Sequence, residues 1–162
     1  MSQIRHGKPS FFYEQEFYVL SNFSAFCIKW RGHLFHTSEE VYHYEKFREH
    51  PSIQSLIRNA MSAHEALKIA EKYKEYISKD WYKIRVKVMK DILIEKVFQH
   101  EYVKRKLLET GSNRELIEDS WRDDFWGFGP NKDGKNMLGK IWMEIRNELS
   151  VLDDKTKSTS TD

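Results

Sequence analysis

The sequence predicts an α+β fold that is predominantly helical, with a small β-sheet, in a single domain. Three observations support this prediction. The length of 162 residues suits one domain, and a composition of 40% hydrophobic and 32% charged residues provides for a sizeable core. Apolar residues recur at helical spacing over most of the chain, behind residues typical of helix starts. Only a few short stretches have the composition of strands.

Composition also excludes several classes of protein. No apolar run approaches the roughly 18 residues of a membrane span, and the first eight residues have no apolar stretch, so we expect neither a membrane nor a secreted protein. The single cysteine, Cys27, can form no internal disulfide and no cysteine-rich zinc site, which favours a cytoplasmic location. The net charge of +2 indicates no overall attraction to nucleic acid.

The predicted elements begin after a polar leader, residues 1–10, with the domain itself over 11–152. Ala25–Trp30 and His33–Phe35 predict two strands joined by a tight turn, and Cys27 is expected to be a buried thiol. Thr37 and Glu40 have the spacing of a capping box, which predicts a helix from Ser38 to about Glu49.

The rest of the chain predicts further helices, one more strand and a loop. Helical spacing covers 53–60, 66–70 (behind a second capping box), 79–99, 102–109 and 138–149, and residues 116–118 are a possible strand. Residues 121–135 have no helical period and are predicted to form a loop, with Asn136 as the N-cap of the last helix. The composition of 153–162 predicts a disordered tail.

The first predicted helix brings chemically active side chains to one face. Glu39, Tyr42, His43 and Lys46 follow one another at i, i+3, i+4 and i+7. The alternative is a solvated face with an ion pair. His36 also shares a metal-ligand spacing with Glu40 and His43, but it precedes the helix, so no metal site is predicted.

The predicted loop is the second chemically dense region. Asp123, Asp124 and Trp126 place acids beside an aromatic ring, an arrangement typical of binding or catalysis, although capping and packing would also explain it. Gly127-Phe128-Gly129 indicates backbone that lies close to another group, without the strand and helix context of a nucleotide-binding turn.

Taken in order, these segments resemble the YbiA-like or NADAR family, over about residues 11–149. One departure lies in the first helix, where the family usually has Glu-His-x-Tyr-Gln and this chain has Glu39-Glu40-Val41-Tyr42-His43. The matching pieces are Leu20–Phe23, Thr37–Phe47, Asp80-Trp81 with Arg85 and Val88-Met89, Leu107–Gly111, Leu116–Glu118, Asp123–Gly129, Gly134–Gly139 and Met143–Arg146.

The resemblance implies an N-glycosidase that cleaves the bond between a base and a ribose or phosphoribose, with no metal or redox cofactor. The substrates it implies are phosphorylated ribosylamino-pyrimidines of riboflavin synthesis or ADP-ribose attached to guanine, so a modified nucleic acid is a possible partner. The catalytic residues it implies are Glu39, Trp81 and Asp123. The substrate-binding residues that we predict are Asn22, Phe23, Tyr42, Lys46, Trp126, Gly127, Gly129 and Asn136.

The chemistry of the reaction agrees with this assignment. Cleavage builds positive charge on the sugar, which a carboxylate stabilises, and the leaving base must be stabilised as well. Glu39 and Asp123 can divide these two tasks, and the sequence leaves open which residue performs which. Trp81 offers a face on which the base could stack, and the alternative explanation is that Trp81 is a residue of the hydrophobic core. The pocket is expected between the first long helix, the start of the Trp81 helix and the 123–136 loop.

Two other functions compete with the enzyme. The first is a module that binds ADP-ribose or a nucleotide without turning it over. The second is RNA or DNA binding through a basic helix face that is more simply explained as solvated. The residues of that face are Lys83, Arg85, Lys87 and Lys90.

Overall fold

A computed structural model describes residues 9–12 and 15–159 of the chain. Over these residues it has short strands and predominantly α-helices, which confirms the predicted α+β class. The strands are β1 (Ser10–Phe11), β2 (Ile28–Trp30), β3 (His33–Phe35) and β4 (Leu116–Ile117). The helices are α1 (Ser38–Glu45), α2 (Pro51–Arg58), α3 (Ala63–Lys72), α4 (Trp81–Gln99), α5 (Glu101–Glu109) and α6 (Met137–Thr159), with 3₁₀ segments at Gln15–Leu20 and Lys74–Tyr76.

The described chain forms two compact units, which we describe separately. One unit comprises residues 22–101 and contains the β2–β3 hairpin and helices α1 to α4. The other comprises the described residues up to 21 together with 102–159, and it contains β1, β4 and α6. That residues 11–152 form a single domain stays a prediction.

The hairpin of the 22–101 unit is confirmed, although β2 begins at Ile28 rather than at the predicted Ala25. Strands β2 and β3 pair antiparallel, with Lys29 opposite Leu34. The turn residues Arg31 and Gly32 both have positive φ, at 48° and 80°. Two positive φ values match the tight turn that suits the twist of a hairpin, and glycine supplies one of them without strain.

Helix α1 starts at Ser38 as predicted but ends at Glu45, four residues earlier than expected. The N–H groups of Lys46 and Phe47 bond to carbonyls three residues back, so the chain tightens into a turn after Glu45. His50, immediately before Pro51, has the non-helical backbone that a following proline favours.

The core of the 22–101 unit is apolar, but Cys27 is not part of it. Helices α1 to α4 and the hairpin bury large side chains, among them Ile28, Phe35, Val41, Phe47, Ile57, Met89, Ile92 and Leu93. Cys27 is exposed, so the prediction of a buried thiol was wrong. Cys27 lies one residue before β2, and it is its neighbour Ile28 that is fully buried.

In the other unit, β1 and β4 pair in parallel, with Ser10 opposite Leu116. The strand therefore includes Ser10, which the sequence assigned to the polar leader, while residues 1–8 lie outside the described residues. The indole of Trp142, fully buried in α6, donates to the carbonyl oxygen of Leu20 over 2.9 Å. These bonds connect the two stretches of sequence that make up this unit.

Helix α6 extends further than the sequence predicts. Its last buried apolar residue is Leu149, as expected, but the helix continues to Thr159, through a region predicted to be disordered. Hydroxyls of this stretch also donate to carbonyls about one turn back, as Thr156 does to Leu152. Neither α6 nor any other helix in the described part of the chain is long and apolar enough to cross a membrane.

Candidate active site

Glu39 lies in the first turn of α1, where three backbone and side-chain bonds fix the helix start. The Thr37 hydroxyl accepts the N–H of Glu40 over 3.2 Å, which confirms the predicted N-cap. The Glu39 N–H donates to the carbonyl oxygen of Asn22 over 3.0 Å. Glu40 departs from the usual capping box, since its carboxylate accepts the N–H of His36 rather than that of Thr37.

The Glu39 side chain is 14% exposed, and its Oε1 lies 2.9 Å from Nε2 of His43, whose side chain is 2% exposed. Burial by itself raises the pKa of Glu39, but the hydrogen bond to His43 and the charges of His43, Lys46 and His64 outweigh it. Together they hold the pKa of Glu39 below its usual range. Glu39 is therefore a carboxylate at neutral pH.

Tyr42 contacts both Lys46 and Trp81, in the same unit as Glu39. The Lys46 Nζ lies 4.9 Å from the centroid of the Tyr42 ring, and the Tyr42 and Trp81 ring centroids are 5.1 Å apart. Tyr42 is 6% and Trp81 only 1% exposed. With so little exposed surface, Trp81 serves in this structure as packing against Tyr42, and its stacking on a substrate base stays a prediction.

Asn22 and Phe23 precede the hairpin and lie close to the start of α1 and to α3, respectively. The Asn22 Oδ1 accepts the hydroxyl of Ser38 over 2.9 Å, and its Nδ2 lies 3.5 Å from the sulfur of Met89. Both ends of this amide therefore have partners within the protein. The Phe23 ring is half-buried and lies 5.2 Å from the ring of His64, at an interplanar angle of 34°.

Asp123, in the other unit, organises the predicted loop. Its Oδ1 accepts the N–H groups of Phe125 and Trp126 over 2.9 and 2.8 Å. Such bonds from an aspartate to the backbone two and three residues ahead close a tight turn and orient the carboxylate. The Trp126 ring lies edge-on to Phe125, with centroids 4.9 Å apart.

The glycines of this loop are required by close backbone contacts. A Cβ on Gly127 would lie 2.7 Å from the carbonyl oxygen of Glu118, and Gly129 has a φ of 72°. The N–H of Gly129 already donates to Ser120. These close contacts and the positive φ explain both glycines structurally, and their contact with substrate stays a prediction.

Asn136 precedes α6 as predicted, but its side chain does not cap that helix. Its Oδ1 accepts the N–H of Glu118, and its Nδ2 donates to the carbonyl oxygen of Leu116, both over 2.9 Å. Its φ of 51° is left-handed, a conformation that asparagine tolerates better than most residues. Asn136 therefore fastens the loop to β4, and its contact with substrate stays a prediction.

The structure brings together predicted residues of the 22–101 unit, and adds two histidines that were not among the predicted catalytic or substrate-binding residues. Glu39, Tyr42, Lys46 and Trp81 form one connected group. These histidines are His43 and His64, and both lower the pKa of Glu39. The i, i+4 spacing already indicated His43, whereas nothing in the sequence indicated His64, which comes from α3.

Histidine and carboxylate side chains form pairs here rather than a metal-binding cluster. The His36 Nδ1 lies 3.4 Å from the Oε2 of Glu40, while His43 binds Glu39. Across residues 9–12 and 15–159, no group of three His, Cys, Asp or Glu side chains is arranged to hold a metal ion.

Comparisons with known proteins agree with the fold. The family model of the NADAR domain matches residues 11–150. An N-glycosidase of Nostoc punctiforme is 32% identical over 146 residues, covering 88% of this chain and 93% of that protein. A riboflavin biosynthesis protein of Vibrio vulnificus is 37% identical over 144 residues, which are 88% of this chain but 39% of that protein.

A solved structure is similar along nearly the whole chain. The NMR structure of the Escherichia coli protein YbiA aligns with a TM-score of 0.80 and 29% identity, covering 93% of this chain and 92% of that one. The sequence of the E. coli N-glycosidase YbiA is 32% identical over 131 residues, 81% of each protein. From the match over residues 11–150 and from these relatives, the chain belongs to the NADAR domain family.

Proposed function

We propose that this chain is an N-glycosidase, a hydrolase that cleaves the bond between a nitrogen base and a ribose carbon. One observation carries the proposal: Glu39 is an ionised, partly exposed carboxylate, fixed in the first turn of α1 by backbone and side-chain bonds. Breaking a ribosyl C–N bond builds positive charge on the sugar, and an oriented carboxylate stabilises that charge. Family membership and the N-glycosidases among the relatives support the same activity.

The lowered pKa of Glu39 suits one of the two carboxylate roles. A residue that donates a proton to the leaving base must hold that proton at the working pH, which requires a raised pKa. Glu39 is ionised instead, so it stabilises the ribosyl cation or activates the attacking water. The catalytic role proposed for Asp123 is supported by its sequence motif. An Asp123→Asn variant tests this role, because asparagine keeps an oxygen that can accept the N–H groups of Phe125 and Trp126.

The substrate is a base attached to ribose or phosphoribose. Two relatives, from Vibrio vulnificus and from Arabidopsis thaliana, are riboflavin biosynthesis proteins, which favours a phosphorylated ribosylamino-pyrimidine. This chain spans only 39% and 18% of the lengths of those two proteins. The second candidate substrate is ADP-ribose attached to guanine, either free or in nucleic acid. Only the family resemblance supports it.

A substrate panel separates the enzyme from a binding module. The full chain is incubated with ribosylamino-pyrimidine phosphates, ADP-ribosyl-guanosine and ADP-ribose, and products are identified by mass spectrometry. The proposal requires release of a free base from at least one compound, with the Glu39→Gln variant as the control for contaminating activity. Binding of several compounds in calorimetry without release of any base would instead support the binding module.

A further inference from the structure

His43 is a buried titratable residue, and its side chain forms a hydrogen bond with the carboxylate of Glu39, the proposed reactive group. It lies one helical turn after Glu39 in α1, with its Nε2 2.9 Å from the Glu39 Oε1. Its side chain is 2% exposed. Because a carboxylate can only accept, Nε2 carries the proton of this hydrogen bond.

The rest of the His43 ring makes no competing hydrogen bond. Its Nδ1 is buried and has no hydrogen-bond partner among the described residues, and the Tyr42 ring packs beside it with centroids 5.5 Å apart. A buried polar atom without a partner costs stability. An apolar side chain would avoid that cost, so packing alone does not explain an imidazole at this position.

Other charged groups act on Glu39 less directly. Lys46, directly after α1, and His64, on α3, lower its pKa by their charge, whereas His43 does so by charge and by a side-chain hydrogen bond. A hydrogen bond is directional, while the attraction to a more distant charge is not. The His43 bond is thus the contact that can fix the direction of the carboxylate.

We propose that His43 is a positioning residue for Glu39: its Nε2–H holds the Glu39 carboxylate in the orientation that meets the ribosyl cation. This inference rests on the proposed N-glycosidase function. His43 reaches the substrate only through Glu39, so it acts on turnover more than on binding. A misplacement of about 1 Å can cost on the order of 100-fold in rate.

Two variants of His43 separate the hydrogen bond from packing. In His43→Gln, the side-chain amide nitrogen can reach the place of Nε2 and donate to Glu39. In His43→Asn, a polar amide is kept but its nitrogen is too short to reach. With a phosphorylated ribosylamino-pyrimidine as probe, we expect His43→Gln to retain kcat within about 3-fold, and His43→Asn to lose about 10- to 100-fold in kcat with KM changed less than about 3-fold.

A second readout does not depend on activity. Titration of the ¹³C-labelled Glu39 carboxyl by NMR should show a higher pKa in His43→Asn than in His43→Gln. In the wild-type full chain, the His43 Nε2 proton should be protected from exchange and should shift in Glu39→Gln, a measurement that requires no folded His43 variant.

The outcomes decide the two proposals separately. If the wild type cleaves no probe while the Nε2 proton is protected and the Glu39 pKa follows the variants, the proposed function fails and the contact between His43 and Glu39 stands without a catalytic role. The positioning role would be overturned if His43→Gln and His43→Asn had the same kcat, whether both kept the wild-type value or both lost activity equally while folded. An unprotected Nε2 proton would also overturn it.

Discussion

Replacing Glu39 by Gln removes one negative charge with little change in shape. The Gln oxygen can still accept from His43 at the present 2.9 Å, and the backbone bond to Asn22 is unaffected. Since the helix start is held by Thr37 as well, we expect the variant to fold. An acid needed only for the helix dipole would contribute about 0.3–1 kcal/mol to stability and nothing to turnover.

The expected loss follows from the charge that Glu39 presents to the transition state. Two unit charges about 4 Å apart interact with about 4 kcal/mol at an effective dielectric constant of about 20. A neutral amide retains part of this through its dipole. A remaining loss of about 2.7 to 4 kcal/mol corresponds to about 100- to 1,000-fold in turnover.

The assay is steady-state release of free base, with Glu40→Gln as the matched control. Glu40 is the adjacent acid, fully buried, and its Oε2 accepts the N–H of His36. Its Oε1 has no hydrogen-bond partner among the described residues, so an amide group there would leave buried N–H donors and cost about 1–3 kcal/mol of stability. We expect turnover near the wild-type rate in that control. Near wild-type turnover of Glu39→Gln would refute the catalytic role of Glu39.

Three further predictions concern pH, the packing of Trp81 and two glycines. Because the pKa of Glu39 is lowered in the folded state, its contribution to stability is present above the ordinary glutamate pKa and is lost as pH falls through the folded value. The free energies of unfolding of wild type and Glu39→Gln, measured in urea, should therefore converge at acid pH. A difference that stays constant with pH would contradict this. Trp81→Ala should lower the free energy of unfolding by about 3–5 kcal/mol and Trp81→Phe by less. Activity lost by Trp81→Phe at unchanged stability would instead indicate base stacking. Gly139→Ala should destabilise the fold strongly in thermal unfolding, because its Cβ would clash with the Leu116 carbonyl oxygen. Gly111→Ala, whose Cβ would have nothing within 4 Å, should show only the strain of its positive φ.

Helix starts and the tight turn could be predicted from the sequence because their bonds are local. The Thr37 and Ser62 caps each accept an N–H from three residues ahead, so residue type and spacing suffice to identify them. The same holds for Arg31-Gly32, whose backbone conformation is a property of the turn itself. The i, i+4 spacing of Glu39 and His43 likewise gave the pair that the structure shows.

Other features depend on groups far apart in the sequence. The face on which Cys27 lies depends on what packs against the hairpin, and the near-complete burial of Trp81 depends on its contact with Tyr42 from another helix. The alternation and helical periods identified the elements, but they did not determine which way a side chain faces when it stands just before a short strand, as Cys27 does, or at a helix start, as Trp81 does.

The sequence by itself determined the α+β class, most element positions, the family and the carboxylate at position 39. The tertiary structure decided how that carboxylate behaves. His64 comes to Glu39 from α3, and burial beside His43 gives their hydrogen bond its strength. It also decided the use of Asn136, whose side chain bonds to the backbone of Leu116 and Glu118, and of Gly127, where the Glu118 carbonyl approaches too closely for a Cβ. Local preferences are encoded over a few residues, whereas burial and electrostatics depend on every element that packs around a site.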